Sequence, residues 1–361
     1  MELIDFSSSV WSIIPALLAI VLAIATRRVL VSLSAGIIVG ALMLGGWNIG
    51  SSFSYLSSNV ISLVYADGAI NSNMNIVLFL LLLGVLTALL TVSGSNRAFA
   101  EWAQSRIKGR RGAKLLAASL VFVTFIDDYF HSLAVGAIAR PVTDRFKVSR
   151  AKLAYILDST AAPMCVMMPV SSWGAYIITL IGGLLATYSI TEYTPIGAFV
   201  AMSSMNFYAI FSIIMVFFVA YFSFDIASMV RHEKLALKNT EDQLEEEMGT
   251  KGQVRNLILP ILVLIIATVS MMIYTGAEAL AADGKVFSVL GAFENTVVGT
   301  SLVVGGFCSI IISTLLIILD RQVSVPEYAR SWIVGIKSMS GAIAILFFAW
   351  TINKIVGDMQ A

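Results

Sequence analysis

The stretch that decides the fold runs Phe122-Val-Thr-Phe-Ile-Asp127-Asp128-Tyr-Phe-His131-Ser132. It continues through a basic turn to Asp158-Ser159-Thr160-Ala-Ala-Pro163 and ends Pro169-Val-Ser171-Ser172-Trp173-Gly174. Carboxylates, an imidazole and hydroxyls lie here inside segments that are otherwise apolar and long enough for a bilayer. Charge at membrane depth is expensive, so ionisable residues placed there mark ion pathways and proton relays by default.

The composition around this stretch agrees. Hydrophobic residues make up 58% of the chain and charged residues 12%, against about 25% charged in a soluble domain. Mean hydropathy is +0.89. Apolar runs of helical length exclude a β-barrel, whose segments are short and alternating, and leave an all-α polytopic membrane protein. A net charge of +1 gives no reason to expect nucleic acid as a partner. Glu2 and Asp5 without a nearby Lys or Arg do not make a signal-peptide n-region. Cys165 and Cys308 fall in apolar runs and read as small buried core residues, with no disulfide or zinc pattern.

Lys and Arg set the topology, because they collect on the cytoplasmic side. Residues 10–26 run inward to Arg27 and Arg28, 29–46 run outward, 47–74 read as an external loop without Lys or Arg, and 75–93 run inward. The loop 94–114 is strongly basic. So is 140–152, on the far side of the apolar run 115–139. A simple span would put one of these two basic loops outside. A re-entrant hairpin over 115–139, with Asp127 and Asp128 near its tip, keeps both inside. Non-helical backbone at that depth requires burial in protein or a cavity wall.

Residues 153–190 must then cross from inside to outside. As one helix they would reach roughly 57 Å, against a hydrocarbon core of about 30 Å, so a span broken by unwound backbone is expected. Pro163, Pro169 and Gly174 are the candidate breakers. Residues 196–222 return inward to the loop 223–255, whose acidic middle (Glu241, Asp242, Glu245, Glu246, Glu247) reads as a solvated cytoplasmic linker. Spans at 256–275, 296–319 and 334–356 run out, in and out.

The first three spans run in, out, in, and the last three run out, in, out. That is the pattern of an inverted-repeat secondary transporter, whose site lies at the repeat interface near the midplane. The expected parts are 1–195 as the first repeat with its hairpin and broken helix, 196–255 as the connector, and 256–361 as a second repeat. The second repeat lacks a matching hairpin and broken span, so it reads as incomplete and the chain as C-terminally truncated.

The chemistry follows from the placement. Two adjacent carboxylates at low dielectric repel, so one holds a proton more readily, and a carboxylate that holds either a proton or a cation couples the two. His131 lies within one turn of both aspartates and reads as a partner in proton coupling. Sodium, a hard cation, takes oxygen ligands. Asp127, Asp128, Asp158, Ser159, Thr160, Ser171 and Ser172 supply them, with carbonyls of the unwound backbone. Asp158 and Ser159 would serve equally as N-caps of a half-helix, and His131 as a satisfied buried histidine. An intramembrane hydrolase is the reading from another class, but neither His-Glu-x-x-His nor a serine elbow is present.

At Phe125-Ile-Asp-Asp-Tyr-Phe-His-Ser132, Asp158-Ser-Thr-Ala-Ala-Pro163 and Pro169-Val-Ser-Ser-Trp-Gly174 the sequence resembles the NhaC-type sodium/proton antiporter family of the wider ion-transporter superfamily. The resemblance implies exchange of Na+ for H+ across a bacterial inner membrane, with roles for Asp127, Asp128, Asp158 and the hydroxyls near the breaks. Relatives resembling malate/lactate or amino-acid carriers make a cation-coupled carrier of a small organic acid or amino acid the alternative. No cofactor is expected beyond the transported ions. The expected partners are the lipid bilayer, a small cation, a small organic anion in the alternative reading, and a second copy in a homodimer.

Overall fold

The computed structural model describes residues 4–6, 9–66, 68–71, 73–125, 128–169, 171–190, 192–238, 252–321 and 323–359. Asp127 and the acidic run of the 223–255 loop lie outside these residues, as does the side chain of Ser172.

A short 3-10 turn (Val10–Ile13) opens into α1 (Ile14–Thr26), followed by α2 (Val29–Leu44) and α3 (Ile49–Val64). Strand β1 (Tyr65–Ala66) pairs antiparallel with β2 (Ala69–Ile70). Then come α4 (Asn73–Val92), α5 (Ser95–Arg106), α6 (Gly109–Ser119), α7 (Val121–Thr124), α8 (Asp128–Arg145), α9 (Arg150–Met167) and α10 (Ser172–Thr187). The chain continues with α11 (Pro195–Ser204), α12 (Phe207–Phe222), α13 (Ser228–Lys238), α14 (Arg255–Ala282), α15 (Val289–Glu294), α16 (Val298–Asp320) and α17 (Val325–Asp358). Helix is the form that satisfies every backbone group within its own segment, as lipid requires.

Among the described residues, four helices can cross a membrane by length and composition: α4, α14, α16 and α17. The number rises to six if the bent pairs α2–α3 (119°) and α11–α12 (52°) each count as one span. The molecule is an all-α, multi-pass membrane protein.

The chain forms two compact units. One holds residues up to Leu80 together with those from Lys337 onward; the other holds Leu81–Ile336.

In the first unit Ile37, Ala41 and Leu44 of α2 pack with Tyr55 of α3 and with Ile355 and Met359. The Tyr55 hydroxyl donates to Asp358 Oδ2 at 2.6 Å. Helix α3 is a departure from the expected loop at 47–74. Asn48 caps it, accepting from Gly50 N–H at 2.9 Å and Ser51 N–H at 3.2 Å. Ser52, Ser57, Ser58 and Ser62 donate their hydroxyls to carbonyls of their own helix, which removes the polar cost that makes such a sequence read as loop. Ser52, Tyr55 and Asn59 are buried, while Ile49, Phe53 and Ile61 are exposed. Its apolar side therefore faces outward.

In the second unit α14 and α16 pack along each other. Ser301, Gly305, Ser309 and Ser313 recur every four residues and are buried. A Cβ on Gly305 would come 2.0 Å from Thr268 Oγ1, and the Ser309 hydroxyl donates to the Pro260 carbonyl at 2.7 Å. Lipid tails are as apolar as leucine, so close approach of small residues and interhelical hydrogen bonds hold such a pair.

Around the stretch singled out in the sequence, Ala117 and Ala118 of α6, Val135 and Ala139 of α8, Leu153, Ile156 and Leu157 of α9 and Val216 of α12 share one cluster. The span expected over 196–222 is bent at Met205-Asn206, where Asn206 caps α12 by accepting from Ala209 N–H at 3.1 Å.

Charged groups gather where α6, α9 and α13 begin or end. Lys152 pairs with Asp225, and Glu233 pairs with Arg110. The Lys114 ammonium donates to Ser223 Oγ at 2.7 Å. Burial pulls Lys114 below its ordinary lysine range, with Glu233 opposing.

Candidate functional site

Helix α9 is the scaffold. Ser149 caps its start, accepting from Lys152 N–H at 3.1 Å. Asp158 and Ser159 therefore lie in mid-helix, and the N-cap reading of them does not hold. Pro163 stays inside α9. Its ring nitrogen cannot donate to the carbonyl four residues back, that of Ser159. Ser212 of α12 fills the gap, donating its hydroxyl to Ser159 O at 2.9 Å. The break comes later, over 168–171 at Pro169, between the end of α9 and the start of α10.

Ser171 closes that break. Its oxygen accepts from Gly174 N–H at 2.8 Å, and its hydroxyl reaches the Cys165 and Met168 carbonyls. It is the N-cap of α10. Gly174 is required by contact: a Cβ there would sit 2.0 Å from Met168 O. Glycine thus lets α10 start against the chain that has just left α9.

A second interruption lies between α7 and α8. It meets the first at two points. Cys165 Sγ–H donates to Phe125 O at 3.1 Å, and Trp173 Nε1–H donates to Asp128 Oδ1 at 3.2 Å. The carboxylate of Asp128 is therefore at the first turn of α8 and against the first turn of α10. Helix N-termini carry partial positive charge and favour an anion, whereas the carbonyls that end α7 and α9 favour a cation.

Behind this meeting point His131 is completely buried. Its Nδ1 lies 2.7 Å from Thr124 Oγ1 and its Nε2 lies 3.1 Å from Thr160 Oγ1. Each threonine also donates to its own helix, Thr124 to Leu120 O at 2.9 Å and Thr160 to Ile156 O at 2.7 Å. Four contacts run from Leu120 O to Ile156 O. Two hydroxyl hydrogens and the one N–H of a neutral imidazole supply three of them. On a neutral ring the fourth contact has no proton. The chain of contacts links α7, α8 and α9 through one titratable ring.

The structure thus gathers Asp128, His131, Thr160 and Ser171 around the two interruptions. Ser159 contributes its carbonyl toward α12. Ser172 begins α10, and Asp127 lies outside the described residues. Asp158 is not brought in: two residues from Thr160 it points about 200° away around the helix, and it is exposed. Sequence reasoning missed Thr124 and the hydrogen-bonding role of Cys165. Thr124 and His131 are seven residues apart across a break, so helical spacing does not predict their contact. Among the described residues no group of three or more His, Cys, Asp or Glu side chains could hold a metal ion. The described residues around the two interruptions instead carry the Asp128 carboxylate, the Thr124, Thr160 and Ser171 hydroxyls and the Phe125 carbonyl, oxygens of the kind that a hard cation takes.

The sequence profile described as "Na+/H+ antiporter family" matches residues 164–361. The match takes in the 168–171 break and everything after it. This chain belongs to the Na+/H+ antiporter family. Membership marks a membrane transporter rather than an enzyme. A Haemophilus influenzae (strain ATCC 51907 / DSM 11121 / KW20 / Rd) protein, described as an uncharacterized protein, is 96% identical over 360 residues, covering 100% of this chain and 69% of its own length. No solved structure matches this member of the family.

Proposed function

We propose that this chain is an NhaC-type antiporter that exchanges Na+ for H+ across a bacterial inner membrane. The observation that carries the reading is the joining of the two interruptions by Trp173 Nε1–Asp128 and Cys165–Phe125. Broken helices supply opposed dipole ends and free carbonyls, the arrangement that secondary transporters use for ions. Asp128, with Asp127 beside it in sequence, takes either a proton or Na+, and that competition is the exchange. Ser171 and the carbonyls at the end of α9 furnish neutral oxygens. His131 and Thr160 form the proton-coupling element behind them. Ser159 and Ser172 belong to the same stretch, and Asp158 stands on the opposite face of α9 as a second carboxylate along the path. The partners under this reading are the transported ions and lipid, with a second copy of the chain as the expected neighbour in a homodimer.

The test uses the full-length protein in energised everted vesicles with a fluorescent reporter of the pH gradient. Added Na+ dissipates the gradient through the native protein and not through Asp128→Asn. If neither Na+ nor Li+ moves protons while a labelled organic acid or amino acid enters on a cation gradient, the carrier reading replaces this one.

A further inference from the structure

We propose that Glu233 of α13 is a positioning residue for the ion site: one carboxylate completes the starts of α6 and α9 together, and so sets the two interrupted segments against each other. The proposal rests on the antiport reading only for the identity of the ion. Helices α6 and α9 both open with basic residues, Arg110, Arg111 and Lys114 in the first and Arg150 and Lys152 in the second. The positive end of a helix dipole favours acids instead. In a capping box the N-cap serine faces an acid at the third helical position, which reaches back to the N-cap N–H. At the start of α9 the N-cap is Ser149 and that third position holds Lys152. Glu233 supplies the acceptor from another helix. Its Oε1 takes the Ser149 N–H at 2.8 Å, its Oε2 pairs with Arg110 of α6, and the side chain is buried between them. The segment that leads into α13 meets the same basic groups. The Arg111 guanidinium lies over the Tyr221 ring at 4.5 Å, Lys114 donates to Ser223 Oγ, and Lys152 pairs with Asp225.

The far ends of the same two segments are also joined. About 24 Å along α9 from Ser149, at 1.5 Å per residue, Cys165 donates to the Phe125 carbonyl just after α7. Part-way along, Ala117 and Ala118 of α6 share a cluster with Ile156 and Leu157 of α9. The His131 ring lies between Thr124 of α7 and Thr160 of α9. Two segments packed along their length and fastened at both ends hold one relative position. A close-packed interior transmits a shift at one end to the other and does not absorb it. Release of Glu233 frees one end, and the Cys165–Phe125 and Trp173–Asp128 contacts at the other end lose their register.

The experiment compares Glu233→Gln, Arg110→Met and Arg110→Lys in the full-length protein. Glu233→Gln keeps an oxygen for the Ser149 N–H and gives up the charge that holds Arg110. Arg110→Met leaves the α9 cap in place and cuts only the join to α6. Both should raise the Na+ concentration that half-dissipates the pH gradient in everted vesicles about fivefold, with little change in the maximal rate. Both should also speed amide hydrogen exchange in α7 and at the end of α9, while Arg110→Lys stays near native in both readouts. Faster amide exchange confined to the starts of α6 and α9, with a native half-dissipating concentration, would make Glu233 a cap alone and overturns the proposal. Equal impairment of Arg110→Lys and Arg110→Met also overturns it, because the effect would then follow the shape of the arginine and not its pairing. A native protein that moves no protons with Na+ or Li+ would end the antiport reading; amide exchange in α7 and α9 then decides the positioning role by itself.

Discussion

The indole N–H of Trp173 donates to a carboxylate oxygen of Asp128 across 3.2 Å, and this bond joins the first turns of two helices that each begin at an interruption. Helix α8 starts at Asp128 and α10 starts at Ser172. The Cys165–Phe125 contact joins the two chain segments that precede them. The two contacts tie the start of α8 to the start of α10 and the end of α9 to the residue that follows α7. Hydrogen bonds to a charged group contribute about 1.5–3 kcal/mol, enough to fix which way Asp128 faces.

Trp173→Phe keeps the ring and removes the donor. Asp128 then loses one of the groups that hold its charged form in place. The expected result is a folded protein whose apparent Na+ affinity falls about tenfold, read from the Na+ concentration that half-dissipates the pH gradient in everted vesicles. A variant indistinguishable from the native protein at every Na+ concentration would show that the bond does not orient the carboxylate.

Thr124 and Thr160 clamp a ring with no access to solvent. Valine at either position keeps the shape, removes the hydroxyl and leaves a buried imidazole nitrogen without that partner. Each substitution should cost about 1–3 kcal/mol, seen as a lowered unfolding midpoint in detergent, while Thr124→Ser and Thr160→Ser stay close to native. Equal stability of the valine and serine variants would mean that the ring finds other partners.

How much of this was legible beforehand depends on which force sets each feature. The membrane class was legible because lipid demands long apolar helices, and the chain has them. The break near Pro169 was legible because 38 residues between fixed sides cannot be one span. Helix α3 was not: its serines satisfy themselves within the helix, and its apolar side faces outward, so neither composition nor an inward apolar stripe marked it. Pro163 misled as a breaker because the hydroxyl that rescues the Ser159 carbonyl sits 53 residues away on Ser212. The face that Asp158 takes was not legible, because motif proximity says nothing about which side of a continuous helix a residue occupies. The Thr124–His131–Thr160 chain depends on tertiary closure across a break, and no local period encodes it.

Gly174→Ala tests the break itself. The added methyl would lie 2.0 Å from Met168 O and 2.9 Å from Ser171 Oγ, and a backbone carbonyl cannot swing aside as a long side chain can. The start of α10 must shift, carrying Trp173 with it. A loss of about 1–3 kcal/mol is expected from such overpacking, together with a fall in exchange rate larger than the fall in folded protein. Exchange that tracks the folded fraction alone would separate the break from transport.

The Lys152–Asp225 pair should behave differently from the exposed pairs of the same protein. Lys152 is 1% exposed and has the Phe224 carbonyl at 3.4 Å and the Tyr155 ring at 5.7 Å as its other neighbours. Removing either member leaves a buried charge without its counter-ion, at a cost of about 3–5 kcal/mol. Replacing both with Lys152→Met/Asp225→Leu removes the desolvation penalty along with the attraction, so most of that loss should return. Arg97 and Glu101, at 55% and 56% side-chain exposure, are screened by water, and Glu101→Gln should change stability by less than about 0.5 kcal/mol. Chemical denaturation in detergent, run as a double-mutant cycle on each pair, reads all of these differences. A double variant of the buried pair as unstable as Lys152→Met alone would mean that the ion pair sets the geometry of the α9 start, and is not simply a matched cost.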